Sequence, residues 1–383
     1  MQVLHVSQGW GQGGSQLYAA GLADAQQALG QRVQRFGPSG GREGGARGFE
    51  ADFANTAVEE RFAEAVRGAD VVHVHHLTGL SMQLPRIAQQ AGAVVVVTLH
   101  DYWLACARGQ LVNEGGARCE GPSTQRCAAC LAPELYAPVP ALAARALPLR
   151  LQPVERREAG WASVRAHTTA FFAPSAHVAK RMQVEAVLTP LPLLRPVPPA
   201  PPPDSGPLRL LFLGSLLPTK GVDVLLAAFA GLPAGAATLR LVGPSPLWRG
   251  SPRWAAAFTR RAAEVPGVSL GEAVLPEGVI AELHAADVLV VPSTWEENAP
   301  LVLGEARAAG LRVVASDLGG MREVAPSAAF VEADSPSALR SALAAEVRRG
   351  RGRVPPEVAA TMAEHAELLL SHYRRLRTSP TSR

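Results

Sequence analysis

Lysine is nearly missing from this chain of 383 residues. It occurs only at Lys180 and Lys220, so almost all of the 37 basic residues are arginine. Set against 33 acidic residues they leave a formal charge of +4, too small an excess to make nucleic acid the expected partner. Long apolar runs are missing too. No stretch reaches the roughly 18 uncharged apolar residues of a membrane-spanning helix. The opening MQVLHVSQGW has neither the basic start nor the continuous apolar core of a secretion signal, and a cytoplasmic location is expected. Cysteine is scarce and local: Cys106, Cys119, Cys127 and Cys130 fall within 25 residues, so they form one constellation and not a framework stapling the fold. Charged residues are only 18%, while hydrophobic residues at 48% supply ample core and exclude general disorder.

The length predicts two domains. Short apolar runs recur, most followed by a helix-length segment: VLHV at 3, VVHVH at 71, VVVVTLH at 94 and AFFAPS at 170. Such runs mark buried parallel strands covered by helices on both faces. The stretch PLPLLRPVPPAPPPDSGP then breaks the texture and reads as a stiff linker. Beyond it the alternation resumes with LRLLFLG, TLRLVG, VSLGEA, VLVVPS, LRVVAS and AAFVEA, six candidate strands of one α/β sheet. The last segment sets Ala359, Met362, Ala363, Ala366, Leu370 and Tyr373 on one helical stripe, as a docking helix would. The boundaries expected are 1–195, a linker at 196–207, 208–355, and a terminal helix and tail at 356–383.

Several constellations can carry chemistry. Gly9, Gly11 and Gly14 form G-x-G-x-x-G between a strand and a helix, which suits backbone approach to a phosphate or sugar, or simply a tight turn. Phe36, Gly37 and Pro38 stand where a dinucleotide site wants an acidic residue, which disfavours NAD. Lys220 and Gly221 follow a strand and precede an amphipathic helix, where a cation can clamp a diphosphate; the alternative is a solvated loop lysine. In VPSTWEENAPLVLGEA, Glu297 and Glu305 have seven residues between them, and Asn298, Ala299, Pro300 and Leu301 open the helix that carries Glu305. Amides at that N-terminus suit an anion or sugar hydroxyls, and a carboxylate one turn in can hold a ribose diol; a capped surface helix is the plain alternative. His100 and Asp101 end a strand, at the edge where α/β sheets bind ligands, whereas His75 and His76 read as a packed, hydrogen-bonded pair. The spacing C-x12-C-x7-C-x2-C can close a four-thiolate site with zinc as the usual occupant, structural because every ligand is protein; reduced thiols or a disulfide are the alternative. The Arg145–Arg165 stretch reads as a solvated helix face, with peripheral contact to an anionic membrane as the alternative.

Taken in order, the Gly13 and Gly14 turn, the DVVHVHH strand, the TLHDYW segment, the strand followed by Lys-Gly and the E-x7-E stretch resemble the retaining glycosyltransferases of the GT-B fold, family 4 type. The resemblance implies two facing Rossmann-like domains with parallel sheets and a deep cleft, the N-terminal one for the acceptor and the C-terminal one for a nucleotide-sugar, with a C-terminal helix able to cross back. It implies transfer of a sugar from a nucleoside diphosphate sugar, UDP- or GDP-linked, to a hydroxyl acceptor with retention. Glu297 then meets the donor sugar, the amides of Asn298 to Leu301 hold sugar hydroxyls, Glu305 holds the ribose, Lys220 the diphosphate, and His100 with Asp101 lies near the reacting sugar. Gly13 and Gly14 belong to the substrate turn. Some members carry a cysteine-bearing insertion after HDYW. Two departures stand out: Ser215 where an arginine often follows the strand glycine, and Gln16 where an acidic residue is frequent. The diphosphate then relies on Lys220, helix amides and an arginine such as Arg322. No Asp-x-Asp pair occurs, so no catalytic metal is expected. The rival functions are a nucleotide-sugar epimerase or hydrolase on the same fold and a catalytically silent partner-binding protein.

Overall fold

The computed structural model describes residues 1–11, 13–38, 54–135, 143, 147–148, 150–246, 252–274, 276–357 and 359–378. They fall into two units: Met1–Leu194 with Ala360–Arg383, and Arg195–Ala359.

In the first unit the strands are β1 Gln2–Val6, β2 Arg32–Phe36, β3 Val71–Val74, β4 Val94–Thr98, β5 Ala170–Ala173 and β6 Ala186–Leu188. They pair in parallel in the order β2-β1-β3-β4-β5-β6. β3 and β4 are buried at every residue, which is why their sequences read as unbroken valine runs and not as an alternation. β2, at the edge, is mostly exposed. The chain winds outward from β1 to β2, returns to β3 and then winds the other way, so the reversal lies between β1 and β3. A crevice opens outside the carboxyl ends of strands at such a reversal.

The second unit repeats the plan with β7 Leu208–Leu213, β8 Ala237–Val242, β9 Val268–Gly271, β10 Val288–Val291, β11 Arg312–Ser316 and β12 Ala329–Val331. All pairs are parallel in the order β12-β11-β10-β7-β8-β9, so the winding reverses between β7 and β10. Successive side chains of a strand point to opposite faces. β7 accordingly sends Leu208, Leu210 and Phe212 into one core with Leu225, Phe229 and Phe258, and Leu211 into the other with Leu289, Leu303 and Met321.

The proline-rich stretch is not free chain. Ala200 donates its N–H to Ala309 O at 2.9 Å and is buried in the same core as Leu211, with Val197 packed beside it. Prolines offer no N–H and favour an extended backbone, so the segment lies along the unit as a strap without needing sheet partners.

The terminal helix Met362–Thr378 belongs to the first unit, where Ala366, Leu369, Leu370 and Tyr373 share a core with Val3, Tyr18, Leu22, Val71 and Phe172. Its start differs from the expected stripe. Thr361 and Glu364 cap each other: the Glu364 N–H donates to Thr361 Oγ1 at 3.2 Å and the Thr361 N–H to Glu364 Oε2 at 2.8 Å. Ala359 therefore precedes the helix, Ala363 is exposed, and His365 and Leu369 take the buried positions. Part of the Arg145–Arg165 stretch, including Arg145, lies outside the described residues; its helix Gln152–Ala166 buries Val154, Trp161 and Val164 and exposes Glu155, Arg156, Glu158 and Arg165. The exposed charges are of both signs, as a solvated face requires. No helix among the described residues is long and apolar enough to cross a membrane.

Leu369 is fully buried between the terminal helix and the first sheet. Leu369→Ala is expected to cost about 2–5 kcal/mol, from lost apolar burial and the cavity left behind. Urea unfolding checks it, and a change below about 1 kcal/mol would show the helix to be only loosely docked.

Candidate functional site

Both loops that follow the central strands of the second unit meet where its winding reverses. After β7 the chain passes Gly214 and half-buried Ser215 into a tight turn, Pro218–Lys220, that ends at Gly221. Gly221 has φ 72°, and a Cβ there would stand 1.8 Å from the Pro292 carbonyl, so no other residue permits this approach. The Thr294 N–H donates to Thr219 O at 2.9 Å and closes the contact. The loop after β7 is thereby clamped onto the loop after β10.

This clamp brings Lys220 Nζ to 2.6 Å from Glu297 Oε1. Ser293 Oγ donates to the same oxygen at 2.7 Å and Trp295 Nε1 at 2.8 Å, while the Lys220 ammonium lies 5.1 Å from the Trp295 ring centre. Glu297 is only 5% exposed, and a carboxylate so buried needs such donors in place of the water it has lost. Its backbone is held from the other side, where the Gly320 N–H donates to Glu297 O at 2.7 Å. Lys220 is therefore a positioned cation and not a solvated loop lysine.

Buried Asn298 and half-buried Ala299 lead to Pro300, which caps the helix Leu301–Ala308 from an extended conformation. Pro300 thus stands just before the first turn, and the amides of Leu301 and the residues after it open the helix. Glu305, one turn in, is buried and ion-paired with Arg195 at 3.3 Å. Burial pushes its carboxyl above the ordinary range, with Arg195 pulling the other way. Arg322 is engaged elsewhere: it forms a fork to Asp317 at 2.5 and 2.6 Å and stacks on Phe330, so the structure does not bring it to Lys220.

In the first unit, Gly13 caps the helix Gly14–Ala28 with φ 88°, a backbone that favours glycine. His100 and Asp101 follow β4. Asp101 Oδ1 accepts the Trp103 N–H at 2.8 Å and Oδ2 faces His76 Nε2 at 3.3 Å. Burial works to raise Asp101, but His76 and these bonds outweigh it and hold the carboxyl below its usual range. Asp101 thus shapes the turn behind His100.

Behind that turn lies a polar core in which His75 is packed and hydrogen-bonded as expected, while His76 bonds to Asp101. His5 Nδ1 and His75 Nε2 are 2.9 Å apart, His5 Nε2 reaches Gln26 Oε1 at 3.1 Å, and His75 Nδ1 reaches His100 Nε2 at 3.3 Å. His73 is held by Tyr373 at 2.6 Å and Thr98 at 2.7 Å, and Tyr18 by His365 at 2.7 Å. Burial pushes His5 and His100 down to about 4, and His73 and His75 well below their ordinary value, so these rings are neutral. His5, His73 and His75 are the group among the described residues close enough to share a metal ion, their ligand atoms within 4.8 Å. Each of their six nitrogens already has a hydrogen-bond partner, which makes a hydrogen-bonded core the better account. The available signal was the period-2 pair His73 and His75 beside His5 in register. For Glu297 the missed partners were Ser293 and Trp295, both inside the segment singled out.

The four cysteines line one cavity of about 590 Å³. None is in a disulfide, burial pushes the Cys106 and Cys127 thiols up, and Arg108 Nε lies 3.2 Å from Cys130 Sγ.

Comparison with known proteins gives the class. Residues 207–348 match the family described as Glycosyl transferases group 1. Over the whole chain the structure is similar to that of Anabaena HepE in complex with UDP and glucose, with a TM-score of 0.61, 14% identity, and coverage of 98% of this chain and 97% of that one. Residues 207–348 thus carry a group 1 glycosyltransferase domain, and over the whole chain the fold is like that of solved glycosyltransferase structures. Two curated relatives are each called D-inositol 3-phosphate glycosyltransferase: that of Segniliparus rotundus is 36% identical over 29% of this chain and 25% of its own, and that of Mycobacterium ulcerans 30% identical over 43% and 38%. The chain thus spans about a quarter to two-fifths of the curated relatives it matches.

A native carboxyl held above its unfolded value keeps a proton that the unfolded chain has released. The contribution of Glu305 to stability is therefore present below the ordinary carboxylate range and lost as pH rises into the raised one. Glu305→Gln is expected to flatten that part of the pH dependence of the urea midpoint; an unchanged slope would contradict the burial argument.

Proposed function

We propose that the chain is a retaining glycosyltransferase that moves a sugar from a nucleoside diphosphate sugar to a hydroxyl. The observation that carries this reading is the Lys220–Glu297 pair set beside the opening of the helix Leu301–Ala308 at the winding reversal of the second unit. Lys220 and the helix amides face the diphosphate, whose growing charge needs donors already in place. Glu297 positions the donor sugar, with Asn298, Ala299, Pro300 and Leu301 along its hydroxyls, and Glu305 takes the ribose diol in exchange for Arg195. Ser215, without a charge, leaves neutralisation to Lys220. His100, with Asp101 behind it and Gly13 and Gly14 beside the chain's first turn, serves the acceptor. In the transfer the bond from the anomeric carbon to the diphosphate oxygen breaks, the bond to the acceptor oxygen forms on the same face, and the acceptor proton passes to the departing diphosphate. No protein group then needs to act as the base. HepE was solved with UDP and glucose, and this supports a UDP-sugar donor.

Calorimetry with UDP-, GDP- and ADP-sugars tests the donor site. One of them should bind, Glu305→Ala should weaken it about tenfold or more, and Lys220→Ala should lower turnover by about 10²-fold. Inositol phosphate is the first acceptor to try, given the names of the curated relatives. Full activity in both variants would remove the assignment, and sugar release or isomerisation without an acceptor would favour a hydrolase or epimerase.

We also propose that Cys106, Cys119, Cys127 and Cys130 hold a structural zinc. Four thiols around one cavity supply the donor set that zinc prefers, though no three of their sulfurs among the described residues stand close enough to share an ion until the loop tightens on it. Elemental analysis of protein purified without chelator should find about one zinc per chain, lost in Cys127→Ser; metal-free folded protein would leave the cysteines as reduced thiols.

A further inference from the structure

Glu305 is a buried carboxylate with few donors. It is only 5% exposed, yet its Oε1 accepts no hydrogen bond among the described residues. The cation facing it is Arg195, whose Nε lies 3.3 Å from that oxygen. Well-made pairs of this kind close to about 2.7–2.9 Å, and Lys220 reaches Glu297 at 2.6 Å. The two carboxylates of the site are thus held differently: Glu297 is gripped by several donors, and Glu305 is only covered. Burial works to protonate Glu305, and the guanidinium opposes it.

The placement of this loose pair matters. Side chains on a helix lean toward its N-terminus, so the Glu305 carboxyl lies over the turn that opens at Leu301, with the guanidinium of Arg195 beside it. The backbone on either side of Arg195 is anchored, because Leu194 packs against the core of the first unit and Val197 against that of the second. Pro196 stiffens the link between them. The side chain is therefore the part that can turn. In a nucleoside diphosphate the ribose ring carries both the diol and, through one methylene, the first phosphate. A ligand whose diol takes Glu305 brings that phosphate within a side chain's length of Arg195.

We propose that Arg195 is a donor-binding residue that covers Glu305 in the empty site and, once the ribose diol has taken that carboxylate, turns to the adjoining phosphate. The inference rests on the reading that Glu305 holds the ribose. Each group keeps a partner in the exchange: the diol donates to the carboxylate, and the guanidinium passes from one anion to another whose oxygens suit its planar fork. A nucleoside without phosphate would displace the guanidinium and offer it no anion in return. Arg195 therefore also selects nucleotides over nucleosides.

Calorimetry on the full chain with UDP, GDP and ADP, each beside its own nucleoside, tests this. For the nucleotide that binds, Arg195→Ala should cut the preference over the nucleoside about tenfold or more, by weakening the nucleotide while the nucleoside binds as well as before or better. Arg195→Lys, which keeps the charge, should recover most of the loss. An unchanged preference, or equal weakening of both ligands, would overturn the proposal, since a residue that only supports the fold affects both alike. If the unaltered chain binds none of the three nucleotides, the reading of the donor site fails with it; if it binds one and the variant keeps the preference, only the role of Arg195 is lost.

Discussion

Burying the Glu297 carboxylate is the constraint on which the second unit is organised. A charge taken out of water must be met by donors at short range, and here an ammonium, a hydroxyl and an indole N–H all converge on one oxygen. The hydroxyl and the indole come from the same loop as Glu297, but the ammonium can reach it only because the loop after β7 lies directly against the loop after β10. That requirement explains two glycines that would otherwise look incidental: Gly221, pressed on the Pro292 carbonyl, and Gly319, whose Cβ would stand 2.1 Å from the Glu297 carbonyl. It also explains why a chain so poor in lysine keeps one here. A compact ammonium can sit over the Trp295 ring and touch a single oxygen, whereas the flat fork of an arginine is built to bind two.

The two units share a topology and fill it with opposite electrostatics. At the reversal between β7 and β10 the polar groups are ionic, with Lys220 and Glu297 paired. At the reversal between β1 and β3 they are neutral rings kept neutral by burial and by one another. Neutral rings neither repel nor capture a charged ligand.

Much of this was legible in the amino-acid sequence where the signal was local. Valine runs announced β3, β4 and β10, and the segments holding Lys220, Glu297 and Glu305 stood out because strand, glycine and helix opening follow one another within a few residues. What was not legible depends on contacts distant in sequence. Lys220 and Glu297 are 77 residues apart, and Tyr18 meets His365 across 347. Arg195 lies in a stretch that reads as linker, and nothing in its neighbours announces a partner at Glu305. The terminal helix shows the intermediate case: its amphipathic stripe was visible, but the Thr361–Glu364 cap shifts the start and exchanges Ala359 and Ala363 for His365 and Leu369 on the buried face.

That exchange decides what the terminal helix is for. A helix serving only as an apolar cover would present leucine and alanine to the core. This one also presents Tyr373, which is hydrogen-bonded to His73 and to Gln26, and His365, which pairs with Tyr18. Without it, a hydroxyl, an amide and an imidazole in the first unit would each lose one hydrogen-bond partner, at a cost of about 1–3 kcal/mol each. The helix that closes the apolar core therefore also completes the polar one. The buried histidines are held by residues from both ends of the chain.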